Sequence, residues 1–294
     1  GSNNLYTGNS ATANSYSTAG TENARASGGA ICIAHYTATT ILIDGTFYFH
    51  SNSASAVAGV LAGYADGAGA ATAVVGGGAI YIGYETVGNI TISVYNPTIA
   101  SLVRDAFLSN SVVATARSTG SAATSVAGGG AIAIDINTGY GNTVSSVITI
   151  GVTGQNTNFT SNTATSTAVA GTSGDAIGAA EGGAIYIDSY TTTVAETHPT
   201  TINVVGNFIF TDNQVSGTAD TFTNSGSGNA AATAQGGSIR IGDGNGAVTI
   251  SNAYFLMDTA GGSDILVAAT GLAKSYSGTA TSTVSGGGVY VGNN

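Results

Sequence analysis

The sequence predicts an all-β fold, a parallel β-solenoid of stacked repeats, because two motifs recur along it at one shared period. The first motif is a glycine pair that runs into a small residue and then a β-branched one, as in Gly28-Gly29-Ala30-Ile31. Its six copies begin at Gly28, Gly77, Gly129, Gly182, Gly236 and Gly287. Successive copies lie 49, 52, 53, 54 and 51 residues apart, which is typical of stacked supersecondary units.

The second motif is an aromatic residue followed three positions later by Asn. Its copies are Tyr6…Asn9, Phe49…Asn52, Phe107…Asn110, Phe159…Asn162 and Phe210…Asn213, with Phe255…Asp258 as a degenerate last copy. Because both motifs run nearly end to end, we interpret residues 1–294 as one solenoid domain of about five repeats. The repeat boundaries are predicted near residues 28, 77, 129, 182, 236 and 287.

Short β-branched segments bounded by Gly, Asn or Asp supply the strands, and no capped 3.6-residue apolar stripe predicts a helix. After each glycine pair, two positions with one residue between them are always Ile or Val. Period 2 puts these two columns on one strand face, predicted to be the interior, and leaves the residue between them, such as Tyr81, facing solvent or a partner. The predicted core ladder is Ile31, Ile80, Ile132, Ile185 and Ile239 with Phe49, Phe107, Phe159 and Phe210.

A third segment of small residues precedes each glycine pair, as in residues 70–74 and 163–169, and predicts a thin, closely packed wall. Each repeat of about fifty residues thus contains three kinds of segment: the strand after the glycine pair, the aromatic motif and the segment of small residues. We expect about two coils per repeat and roughly ten coils in all. At roughly 4.8 Å per coil this predicts a rod about 50 Å long.

The composition excludes several classes of function. Charged residues make up only 7% of the chain, the net charge is −10, and the five basic residues are scattered, so no basic surface is predicted to bind nucleic acid. No apolar run reaches the roughly 18 residues needed to cross a bilayer as a helix, so no membrane insertion is predicted. Cys32 is the one cysteine, which excludes a disulfide framework and predicts a small packed residue.

The two motifs together, Gly-Gly-Ala-Ile and Phe-x-x-Asn, resemble the repeat of the polymorphic outer membrane proteins. Those are autotransported bacterial surface adhesins whose passenger region is predicted to form a right-handed parallel β-helix. The resemblance covers essentially the whole chain. It implies a right-handed solenoid and a role at the cell surface.

Solenoids also serve as polysaccharide lyases and hydrolases, so we considered catalytic residues. Asp135 and Asp188 follow equivalent glycine pairs and, at two coils per repeat, would lie about 10 Å apart, within the range of inverting glycosidases. The other repeats carry Ala or Gly there and no Arg or Lys joins the pair, so surface solvation or a turn is the preferred interpretation. No catalytic residue and no cofactor is assigned.

Metal and surface alternatives were considered in the same way. The Asp243-Gly244-Asn245-Gly246 segment lacks the remaining ligands of a calcium loop and is interpreted as a turn. His35, His50 and His198 occupy unrelated repeat positions, so no metal site is assigned. The Thr-x-Thr segments within residues 163–167 and 279–283 raise the alternative of a Thr array that binds ice or glycan, but other repeats interrupt the array.

The preferred function is a non-catalytic extracellular structural protein at the cell surface, and the alternative is a monomeric adhesin that binds a glycan or a partner surface. The Asn-X-Ser/Thr acceptors Asn89 and Asn158 suggest covalent glycans. One half-repeat containing Tyr6 and Asn9 and a complementary half-repeat containing Val289 and Val291 stand at opposite ends, without visible caps. Because such halves complete one another, the chain is predicted to polymerise head to tail with copies of itself.

Overall fold

The computed structural model describes residues 4–17, 20–34, 40–59, 68–83, 89–99, 102–137, 147–171, 174–190, 201–221, 228–242, 248–251, 253–256 and 268–292. Within these ranges the regular structure consists of β-strands without helices, and all long ladders are parallel. The prediction of an all-β chain with parallel strands is therefore confirmed.

Five parallel ladders, here called sheets I to V, are built from strands that follow one another in a fixed order along the chain. Sheet I contains Asn4–Thr7, the second part of Thr40–His50, Phe107–Leu108, Asn156–Thr160, Asn207–Thr211 and Ala253–Leu256. Sheet II contains Ser10–Ser15, Ser53–Ala58, Ser111–Arg117, Thr163–Ala170, Gln214–Thr221 and Ala268–Lys274. Sheet III contains Glu22–Ser27, Ala71–Gly76, Ala123–Gly128, Ala176–Glu181, Ala230–Gln235 and Ala280–Ser285.

The remaining two ladders follow in the same order. Sheet IV contains Ile31–Ala34, Ile80–Gly83, Ile132–Asn137, Ile185–Tyr190, Ile239–Ile241 and Val289–Val291. Sheet V contains the first part of Thr40–His50, Asn89–Tyr95, Val147–Ile150, Thr201–Val204 and Val248–Ile250. The long strand Thr40–His50 thus joins sheets V and I. Strands Thr98–Ile99 and Leu102–Val103 form a separate antiparallel pair.

Neighbouring strands in every ladder come from neighbouring repeats. Ile132 pairs with Ile80 on one side and with Ile185 on the other. Each repeat therefore contributes one strand to each sheet, and we call this set of strands a rung. The expectation of two coils per repeat and about ten coils is wrong, because some fifty residues are used up by five strands and their corners. Six rungs at roughly 4.8 Å each span about 30 Å, not 50 Å.

The segment of small residues before the glycine pair is in fact two different strands. Residues 163–169 lie in sheet II, whereas residues 70–74 belong largely to sheet III. The inner faces of these two sheets meet through alanine side chains and form a core cluster of their own. A Cβ at Gly178 would lie 2.1 Å from the carbonyl oxygen of Thr218. The two sheets are therefore too close at that point for any side chain.

A second core cluster lies where the inner faces of sheets I, IV and V meet. It contains the predicted Ile and Phe columns, and Ile80, Ile132 and Ile185 are each 0% exposed. The phenylalanine rings stack in sequence from rung to rung, with centroids 5.1 Å apart for Phe49 and Phe107 and 4.6 Å apart for Phe107 and Phe159. Phe107 and Phe159 thus each pack between two Phe rings, and Phe49 packs between Phe107 and Tyr6, at distances that stacked aromatic pairs prefer.

The Asn of the second motif forms an amide ladder along the corner between sheets I and II. Nδ2 of Asn110 donates to Oδ1 of Asn162 at 3.0 Å and to the carbonyl oxygen of Phe49 at 2.9 Å. The residue before each Asn holds a left-handed conformation, with φ of 54° at Ser51, Ser109, Ser161 and Asp212. From Asn52 to Asn213 the motif therefore turns the chain and satisfies a buried amide in each rung.

The glycine pair forms the corner between sheets III and IV. Gly129 has a φ of +67°, and a Cβ at Gly130 would lie 2.0 Å from the carbonyl oxygen of Gly183 in the next rung. The first position thus needs the left-handed region and the second needs the absence of a side chain. In the last rung the equivalent of Gly236 is Gly286, with a φ of +60°, one residue before the Gly287 chosen from the sequence.

Candidate functional site

Asp135 and Asp188, the carboxylates considered from the sequence, lie on adjacent strands of sheet IV as directly paired residues. Adjacent strands are roughly 4.8 Å apart, so the expected separation of about 10 Å is wrong. Nothing lies between the two strands, so the room that an inverting glycosidase leaves for its water is missing. The expected distance was too long because each repeat contributes one strand, and not two, to each sheet.

Tyrosine rings cover the outer face of sheet IV beside these carboxylates. A Cβ at Gly83 would lie 2.2 Å from the ring of Tyr81, and one at Gly128 would lie 2.9 Å from the ring of Tyr186. The glycines therefore leave room for the rings to lie against the backbone. Tyr81 is only 9% exposed and the neighbouring Ala133 1%. This column was expected to face solvent or a partner, and solvent exposure is wrong for these two residues.

The phenol groups hydrogen-bond to the carboxylates. The hydroxyl of Tyr186 donates to Oδ2 of Asp188 at 3.0 Å, and Tyr81 bonds to Asp135. Burial, and then the nearby Asp135, raise the pKa of Tyr81 to about 12. Burial is also the main cause that holds the pKa of Tyr186 well above its usual value. Both phenols therefore stay protonated and serve as donors.

Arg240 completes the cluster, although the sequence analysis found no basic residue there. Its Nη1 lies 3.5 Å from Oδ1 of Asp188, its Nε lies 3.6 Å from Oε2 of Glu181, and its guanidinium lies 5.2 Å from the ring centre of Tyr186. Arg240 pairs directly with Tyr186 in the ladder. With one rung per repeat, the column alignment alone would have placed Arg240 beside Asp188.

Asp135 is expected to make the stability of the protein depend on pH. Burial, and then the Asp188 charge, raise the pKa of Asp135 above its ordinary 3.8. Because the pKa of Asp135 is higher in the folded than in the unfolded chain, the stabilisation that its protonated carboxyl group contributes is fully present below the unfolded pKa. That stabilisation is lost as pH rises through the folded pKa. We therefore expect Asp135→Asn to raise the free energy of unfolding at neutral pH by about 1 kcal/mol and to flatten its pH dependence.

Urea denaturation from pH 3 to pH 7 measures this effect, with Asp44→Asn as the control because Asp44 is exposed. The same pH dependence in Asp135→Asn and in Asp44→Asn would contradict the prediction. An unfolding free energy that falls on Asp135→Asn at neutral pH would contradict it as well.

The two predicted glycan acceptors differ in their surroundings. Asn89 is exposed at the first position of its strand. Asn158 lies inside a strand, and its Nδ2 donates to Oδ1 of Asp105 at 2.8 Å. Asn89 is therefore the more accessible acceptor.

The other sequence candidates do not converge on one site. Cys32 is exposed, so the expectation of a packed thiol is wrong. The ring of His50 stacks on Tyr48, whereas His35, His198 and residues 243–246 lie outside the described residues. In the described part of the chain no group of three or more His, Cys, Asp and Glu could hold a metal ion.

The two Thr-x-Thr segments lie in different sheets. Residues 163–167 belong to sheet II, whereas Thr281 and Thr283 belong to sheet III. Within sheet II, the strand next to Thr163 and Thr165 carries Gln214 and Ser216 at the paired positions. The segments therefore do not combine into one continuous Thr array.

Comparison with family models, with curated proteins and with solved structures finds no match to this chain. Across the described ranges, no helix has the length and apolar character that crossing a membrane requires.

Proposed function

We propose that this chain is an extracellular structural protein, a right-handed β-solenoid with one coil per repeat that stacks end to end into a surface fibre. The observation that carries the proposal is the set of open strand edges on the first and last rungs. In the described residues, the strands of sheets I to IV in these rungs pair on one side only. Because every rung repeats the same columns, the last rung of one copy is complementary to the first rung of another.

The last rung exposes apolar side chains that inner rungs bury. Val284 is 50% exposed and Val291 49%, whereas Ala234 and Ile241, their partners in the previous rung, are 0% and 1% exposed. A further rung stacked on this face would cover both valines. Burial of apolar surface contributes about 25 cal/mol per Å² and so favours association.

The first rung has an open end of the amide ladder. Asn9 donates its backbone N–H and its Nδ2 to Oδ1 of Asn52, at 3.1 and 2.9 Å. No donor among the described residues reaches Oδ1 of Asn9. In each inner rung this oxygen accepts such bonds from the Asn of the preceding rung, as Oδ1 of Asn110 does from Asn52. In a stacked copy the matching position is Asp258, so the donor to this oxygen would be the backbone N–H of that residue and not its side chain.

If the columns continue across the junction, Val289 of one copy packs on Ile31 of the next and Val291 packs on Ile33, while Tyr290 adjoins Cys32. This contact joins two different surfaces and therefore builds an open filament instead of a closed dimer. The location at the cell surface is supported by the low content of charged residues, 7%, and by the resemblance of the motifs to surface adhesins.

Tyr290→Cys tests the junction, because Cys32 occupies the paired column. Neighbouring strands lie roughly 4.8 Å apart, inside the Cα separation of about 4.4–6.8 Å that a disulfide allows. We expect mild oxidation of Tyr290→Cys to give a ladder of covalent multimers on a non-reducing gel, and electron microscopy to show filaments.

Thr283→Cys is the matched control, because it puts the new thiol on the same rung in the column of Arg25. Equal cross-linking in the two variants would contradict the proposed register. A monodisperse monomer with a saturable glycan or protein ligand would instead favour the alternative, a monomeric adhesin.

A further inference from the structure

Sheets II and III are staggered, so that an inner strand of sheet III packs between two strands of sheet II. Ala123–Gly128 packs on Ser111–Arg117 in its own rung and on Thr163–Ala170 in the next rung. Ser125 and Ser166, here called the serine pair, mark the contact with the next rung, because their Oγ atoms lie 2.5 Å apart and both residues are 0% exposed. Full burial of a sheet III strand therefore depends on a sheet II strand from the rung that follows it.

The stagger buries sheet III in the first rung and leaves sheet II open there. Glu22–Ser27 packs between Ser10–Ser15 and Ser53–Ala58, so its inner residue Ala24 is only 3% exposed in a single copy. Ser10–Ser15 has no preceding sheet III strand among the described residues, and its inner residue Ala13 is only partly buried. The uncovered inner face at this end of the molecule thus belongs to Ser10–Ser15.

The last rung shows the opposite arrangement. In the described part of the chain, Ala280–Ser285 packs on Ala268–Lys274 of its own rung and has no following sheet II strand. Ser282 is exposed, although Ser125 in the same column is fully buried. The two ends of the molecule therefore lack opposite halves of the contact that the inner rungs make.

We propose that the strand Ser10–Ser15 of a second copy inserts against the inner face of Ala280–Ser285, so that the two copies interlock across sheets II and III. This inference rests on the proposed function and names the strand that completes its junction. Ala13 lies in the column of one member of the serine pair, and Ser282 lies in the column of the other. In the register of the inner rungs, Ala13 of the second copy therefore packs against Ser282.

The side chains fit this arrangement. Ala13 and Ser282 together occupy less volume than the serine pair, so the sheets need not separate to admit them. Val284 is 50% exposed, whereas Val75 in the same column is 2% exposed, so the space between the two sheets accommodates a valine there. The inner-face residues of both strands are uncharged. Insertion thus removes apolar surface from water without burying a charge from either strand.

Ala13→Cys combined with Ser282→Cys tests the contact, in a Cys32→Ser background that removes the native thiol. Because the Oγ atoms of the serine pair lie 2.5 Å apart, thiols at equivalent positions are within reach of a disulfide. We expect mild oxidation of the whole chain to give a ladder of covalent multimers on a non-reducing gel. Thr12→Cys combined with Ser282→Cys is the matched control and should not cross-link, because Thr12 lies on the exposed outer face of the same strand.

Ser282→Arg is a second test, because Ser282 is exposed in a single copy and the substitution leaves the fold of that copy intact. Docking would bury the added charge among alanine side chains, which is costly. We expect the monomer concentration needed for assembly, measured by sedimentation and light scattering, to rise at least about tenfold. Thr281→Arg adds the same charge to the neighbouring residue on the outer face and should assemble like the unsubstituted chain.

Equal cross-linking through Ala13→Cys and Thr12→Cys, or equal assembly of Ser282→Arg and Thr281→Arg, would overturn the insertion of this strand. End-to-end stacking would stand in that case if Tyr290→Cys still cross-links to Cys32. An absence of filaments in the unsubstituted chain, together with an absence of Tyr290→Cys cross-links, would overturn the proposed function itself. The two failures are therefore distinguishable.

Discussion

Ile132→Asp is expected to lower the free energy of unfolding by about 4 kcal/mol or more, among the largest effects of any single substitution in this chain. Ile132 is 0% exposed and lies between Ile80 and Ile185 in the same column. A carboxylate there would be surrounded by aliphatic side chains on both neighbouring rungs, with no cation to pair with. The loss combines the desolvation of the charge with the loss of Ile packing.

Urea denaturation followed by far-UV circular dichroism measures this difference. Ile132→Val is the control, since it removes one methylene group and keeps the β-branched shape, at a cost of about 1 kcal/mol. A chain that tolerates Asp as well as it tolerates Val at position 132 would show that this column is not the core.

Gly130→Ala is expected to cost about 3 kcal/mol, at the upper end for overpacking by a single methyl group. A Cβ at this position would lie 2.0 Å from the carbonyl oxygen of Gly183 and 2.5 Å from the backbone nitrogen of Thr163. Both are backbone atoms of the next rung, which cannot rotate away as a side chain could. The rungs would have to separate at this corner.

Gly120→Ala provides the comparison, because its new methyl group would meet only Ala68, at 3.2 Å or more. We expect that variant to unfold within about 1 kcal/mol of the unsubstituted chain. If thermal and urea unfolding rank the two glycine variants equally, the close approach at Gly130 does not constrain the fold.

The columns of the core could be predicted from the sequence because the same packing requirement recurs in every repeat. In the two inner columns of sheet IV each Ile packs on an Ile or Val of the next rung, so one requirement appears six times in the chain and stands out from the background. The same holds for the Phe and Asn of the second motif, which stack and hydrogen-bond to their own equivalents.

The size of the rung could not be predicted in the same way. Alanine-rich strands of sheets II and III have similar composition, so the sequence alone merged segments such as residues 70–74 and 163–169 into one. That merger halved the apparent length of a rung and doubled the expected distance between Asp135 and Asp188. The same error obscured the role of Arg240. Its proximity to Asp188 becomes apparent only when successive repeats are aligned as adjacent strands.

Groups that occur once gave no pattern to follow. Glu22 sits in a column that is alanine in every other rung. From the sequence it reads as an ordinary surface residue, and only the register shows that it faces the interior. A residue that departs from its column in a single rung therefore has to be located from the structure, because no other repeat carries the same residue there.

Each repeat contributes one strand to each sheet, and this arrangement also determines how the molecule responds to force. In the described parts of sheets I to V the ladder hydrogen bonds join residues of neighbouring repeats, so these strands hold each rung to the rung above and the rung below, as in a one-dimensional array. Pulling on one end removes the terminal rung first and leaves the others intact. Release of about fifty residues at 3.3–3.6 Å each lengthens the chain by roughly 170 Å. A stretched molecule is thus expected to extend in a regular series of steps, each one repeat long.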